Sequence, residues 1–148
     1  MPLHFDLAAG TVSGVPILGR SAAQVRAALG PPDYVERYPR RVDLGYGPAG
    51  APNVEVILNG TVWALEFGAV GDTEARTGHV LVLRSRDLQA RIAATYPKAF
   101  RLVRGYRCDT KGCFGVFYSR DRTRRIIFGI SDGRRYVGLQ LRNPPPRP

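Results

Sequence analysis

The sequence predicts an α+β protein of two related units, each a short helix followed by an antiparallel sheet. Three observations lead there. Two amphipathic stretches each end on proline. Each is followed by a series of short runs with strand-like alternation. Asn-Gly and Asp-Gly dipeptides occupy hairpin positions in the two halves.

The first helix is expected over residues 21–29. Ser21 can cap its start, and Gln24 stands three residues later, the spacing of a capping box. Ala22, Val25 and Leu29 fall on one face, and Gly30-Pro31-Pro32 stops the helix. Extended segments are expected over 34–38 and 41–46. Two more, over 54–58 and 61–67, flank Asn59-Gly60. Strict alternation in the last of these puts Trp63, Leu65 and Phe67 on one face and Val62, Ala64 and Glu66 on the other.

The second half repeats the order. A helix over 85–96 places Leu88, Ile92 and Tyr96 one turn apart and ends at Pro97. Strands are expected over 100–107, 114–119, 125–130 and 136–142, with turns over 108–113, 120–124 and 131–135. Val25 and Leu29 match Ile92 and Tyr96 at an offset of 67. A diverged duplication and a coincidental α+β order both explain this. The expected organisation is a lead-in over 1–18, a first unit over 19–68, a joint over 69–79, a second unit over 80–142 and a Pro-rich tail over 143–148. The expected core includes Val25, Leu29, Trp63, Ile92 and Leu139.

Charge divides the same way. Residues 1–74 carry five Arg against eight Asp and Glu, a net of −3. Residues 75–148 carry fifteen Arg and two Lys against four Asp, a net of +13. A basic half points to an anionic partner, and an Arg-rich composition also arises from a GC-rich coding sequence. The candidate anion-binding residues are Arg120, Arg122, Arg124 and Arg125 at one hairpin end and Arg134 and Arg135 at another. Arg101, Arg104 and Arg107 mark the first strand of that half, near Tyr106 and Tyr118. Guanidinium groups grip phosphate or carboxylate bidentately. The aromatic pattern of RNA-recognition sheets is missing.

No catalytic, cofactor-binding or metal-binding set emerges. His4 and His79 lack zinc-finger spacing from Cys108 and Cys113. No nucleophile is placed beside His79, and Glu55 and Glu66 read as exposed positions on a half-buried sheet. The two cysteines flank a turn, where either a disulfide or a free thiol pair fits. A disulfide closing so small a loop stabilises by about 2 kcal/mol at most and implies an oxidising compartment. The first residues have no basic and apolar pattern of a secretory signal, and no apolar run is long enough to span a bilayer.

The segment Gly19-Arg20-Ser21-Ala22-Ala23-Gln24-Val25-Arg26-Ala27-Ala28-Leu29-Gly30-Pro31-Pro32 resembles the Gly-x-Ser/Thr-x-x-Gln-Val-x-x-x-Leu-Gly-x-Pro pattern of the SmpA/OmlA (BamE-like) domain. Leu44-Gly45-Tyr46 and the hairpin around Asn59-Gly60 continue that family's order, so the resemblance covers residues 19–67. A tandem version is similar to the β-lactamase inhibitor protein (BLIP-like) fold, in which two helix-plus-sheet repeats form a concave protein-binding surface. The second half keeps the order and lacks the motif, and the lipobox cysteine of the envelope lipoproteins is absent. The resemblance implies a BLIP/BamE-like fold and an extracytoplasmic or secreted binding role, and it carries over no site residues. The expected function is a non-catalytic binding or assembly module for a protein or anionic surface. The alternative is a basic module for nucleic acid or another polyanion, and an enzyme acting on an anionic substrate ranks third.

Overall fold

A computed structural model describes residues 5–47, 54–68, 88–110, 112–131 and 134–142. In chain order the elements are β1 (Phe5–Asp6), β2 (Thr11–Val12), β3 (Val15–Pro16), α1 (Ala22–Leu29), β4 (Tyr34–Tyr38), β5 (Arg41–Tyr46), β6 (Val54–Asn59), β7 (Thr61–Gly68), α2 (Leu88–Thr95), β8 (Phe100–Asp109), β9 (Gly112–Ser119), β10 (Arg124–Ser131) and β11 (Arg134–Leu141). The expected joint, the His4 and His79 positions, the Asp132-Gly133 turn and the Pro-rich tail lie outside the described residues.

Local chemistry forms α1 as expected. The Gln24 amide donates to Ser21 Oγ at 3.2 Å, and the Ser21 amide donates to Gln24 Oε1 at 2.9 Å, which completes the capping box. Gly30 ends the helix at φ +81°, its amide donating to the Arg26 carbonyl. The chain entering α1 is tied to the far hairpin, because Gly19 donates to the Val62 carbonyl and Val62 donates to the Arg20 carbonyl.

The two-unit fold is corrected. All eight long strands form one antiparallel sheet in the order β4-β5-β6-β7-β11-β10-β9-β8. Each meander would leave its last strand with unpaired backbone groups, which is costly at an apolar centre. β7 and β11 satisfy each other instead, with Leu139 opposite Leu65 and Val137 opposite Phe67. The core is therefore continuous. Val25 of α1, Leu88 and Ile92 of α2, Val62 and Leu65 of β7, and Val137 and Leu139 of β11 belong to one buried cluster. Among the described residues, the molecule is mostly antiparallel sheet with two helices of eight residues each.

The lead-in also departs from expectation. β1, β2 and β3 make a small three-stranded sheet. Leu7, Val12 and Ile17 from this region enter the main core, each at most 1 % exposed. Helices and N-terminal strands thus cover the same face of the large sheet. Val25, Trp63, Ile92 and Leu139 are buried as expected, and Leu29 is half-buried at the rim. Strict alternation fails in β7. A register shift at Ile57/Leu58 puts Val62 into the main core and Trp63 into a second, smaller cluster with Ile57 and Ala64.

Candidate functional site: the second face of the sheet

With one face committed to the core, the other face of the large sheet carries a second set of side chains, of which Asp43, Ile57, Ala64 and Gln140 are buried and those of β8–β10 are partly or fully exposed. Register identifies them, because directly opposed residues point to the same side. One transverse row runs Arg101, Tyr118, Arg125, Gln140, Ala64, Ile57, Asp43, Glu36. The next runs Arg104, Val116, Ile127, Gly138, Glu66, Glu55, Gly45, Tyr34. Each row begins in arginine and ends among carboxylates; between them the first passes Tyr118, Arg125, Gln140, Ala64 and Ile57, and the second passes Val116, Ile127 and Gly138. At about 4.8 Å per strand the two ends stand roughly 34 Å apart.

The acidic end is internally satisfied. Arg41 makes a bidentate ion pair with Asp43, both contacts at 2.7 Å, and Asp43 is 2 % exposed. Tyr34 donates to Glu55, and Tyr38 donates to Glu36 at 2.7 Å. The Arg41 guanidinium also lies 5.6 Å from the Tyr38 ring centre. Oxygens of Glu36, Asp43 and Glu55 lie within 4.8 Å of one another. Each already accepts a proton donor, so the trio is a hydrogen-bonded patch rather than an open ligand set. Glu66, directly opposite Glu55, has its carboxyl pushed up by burial, and Arg41 opposes that push. Burial and the Glu55 carboxylate raise the Tyr34 hydroxyl above its ordinary value, so it serves as a donor.

At the basic end, the spacing comes from backbone irregularity. β8 has two register shifts against β9, between Leu102 and Arg104 and between Arg104 and Arg107. Arg101, Arg104 and Arg107, three apart in sequence, therefore oppose Tyr118, Val116 and Phe114, two apart. Arg104 lies 4.7 Å from the Phe114 ring centre, and Arg142 lies 4.5 Å from that of Tyr118. Such stacking holds a guanidinium plane while leaving its edge free to bind.

The hairpin arginines diverge. Arg125 donates to Gln140 Oε1 at 2.9 Å and sits on the second face. Arg124 points the other way and donates to the Ala8 carbonyl at 2.6 Å, tying the N-terminal strands to β10. Arg120 donates to the Pro97 carbonyl, and Arg122 occupies the turn at φ +63°. Arg134 and Arg135 open β11 opposite Ser131 and Ile130. Arg120, Arg122, Arg124 and Arg125 thus do not share one face, and the arginines of β8 carry the ordered array. Cys108 and Cys113 oppose each other directly at the end of the β8–β9 hairpin and are joined as a disulfide, with sulfurs 2.08 Å apart. Among the described residues, no helix is long and apolar enough to cross a membrane. Comparisons with family models, with curated proteins and with solved structures return no match.

Proposed function

We propose that this protein is a non-catalytic binding or assembly module of the cell envelope or exterior, and that it docks a protein partner on the second face of its large sheet. One observation carries the reading: a single face bears an arginine end, the partly exposed apolar side chains of Val116 and Ile127 beside it, and a carboxylate end. Protein interfaces combine an apolar, aromatic centre with a polar rim, and opposed charges fix the orientation of a partner. The Cys108–Cys113 disulfide supports an oxidising compartment, where such bonds persist. The resemblance of residues 19–67 to the SmpA/OmlA domain agrees with an envelope role.

A pull-down from native extract tests it, with and without nuclease, using wild type and a V116E/I127E variant whose melting temperature is checked in parallel. The expected result is a protein partner that survives nuclease and is lost with the variant. Capture that disappears with nuclease, or that the folded variant retains, contradicts the reading.

A further inference from the structure

We propose that the arginines of β8 form a ladder that takes an extended acidic segment of a partner protein, with carboxylates at alternate residues. The proposal rests on the docking-face reading above and narrows it to one edge of that face.

Spacing carries the inference. The two register shifts bring Arg101, Arg104 and Arg107 into step with every second residue of β9. Successive arginines then repeat at about 6.6 Å, the distance between same-side residues of an extended peptide. All three are exposed, and the ion pair formed among the described residues is Arg41–Asp43, at the opposite end of the sheet. The chemistry of the ligand follows from the guanidinium fork, which matches a carboxylate bidentately.

The aromatic residues select peptide over nucleic acid. Single-stranded nucleic acid needs open rings on which bases stack. Here Arg104 lies over Phe114 and Arg142 lies over Tyr118. These two rings on the ladder's face are engaged by cations that a carboxylate can reach.

Fluorescence anisotropy on the oxidised full chain tests this with three probes. These are a peptide of alternating Glu and Thr, a peptide of the same composition with its Glu residues in one block, and an oligothymidylate of equal charge. At about 0.15 M salt, which screens unspecific attraction beyond roughly 8 Å, the alternating peptide should bind about tenfold tighter than the block peptide. R101Q/R104Q/R107Q should lose that advantage while keeping the wild-type melting temperature, and R122Q should keep it. Equal binding of the two peptides, or tighter binding of the oligothymidylate, overturns the ladder. If the ladder fails while V116E/I127E still releases the captured partner, the docking face stands and only its proposed ligand falls.

Discussion

Arg124 and Asp121 sit three residues apart and show how one hairpin end divides its labour. Arg124 spans from β10 to the N-terminal strands through the Ala8 carbonyl, and Ala8 packs against the main core. A charged hydrogen bond of this kind contributes about 1.5–3 kcal/mol. R124Q should therefore destabilise by that amount in chemical denaturation and speed amide exchange in β2, whereas R122Q should change stability by less than about 0.5 kcal/mol. Asp121 accepts from the Ser119 hydroxyl at 2.6 Å, the Thr123 amide at 3.0 Å and the Thr123 hydroxyl at 2.7 Å. These bonds hold its carboxyl down to about 2, below its ordinary 3.8. The folded chain thus favours the anion. Its contribution is present above the ordinary value and is lost as pH falls through about 2. Melting temperature measured against pH should fall less steeply in that window for D121N than for wild type. Neither role was legible in sequence, where Arg120, Arg122, Arg124 and Arg125 read as one basic cluster. Strand alternation sends Arg124 and Arg125 to opposite faces, and turn geometry separates the rest.

Within elements, local signals were readable and long-range ones were not. The capping box of α1, the Asn59-Gly60 turn and the positions of the long strands follow from residue order, because caps, turns and alternation are local. Gly60 takes φ +75°, as the turn requires. The N-terminal strands escaped notice because each is only two residues long. Bulges in β7 and β8 break the period of two on which alternation rests, which moved Val62 inward and placed the three arginines in step. Gly129 of β10 lies hard against the backbone of the neighbouring strand. A Cβ there would lie 2.1 Å from the Cys113 carbonyl oxygen, a backbone atom that cannot swing aside. G129A should push β9 from β10 and cost about 3 kcal/mol or more, at the upper end for overpacking. Thermal unfolding measures this, and a loss below about 1 kcal/mol would mean that the strands separate at little cost.

Across the whole molecule, the sequence order of charge becomes a spatial order. Strands from the first half fill β4–β7 and those from the second fill β8–β11, so an acidic half and a basic half become two ends of one sheet. Sequence alone showed the asymmetry and a helix-then-strands order repeated along the chain. It did not show that β7 and β11 join the halves, because that pairing links residues about seventy apart and leaves no local pattern. The joined sheet has one face committed to the core and another that carries the charge gradient, and the account rests on that second face being the binding surface. Site-specific photocrosslinking tests this most directly. A benzophenone amino acid replaces Tyr118 on the sheet face in one variant and the exposed Ala27 of α1 in another. Both are irradiated in nuclease-treated native extract. The account predicts a protein cross-link from position 118 and none from position 27. A cross-link from position 27 with none from position 118 would contradict it.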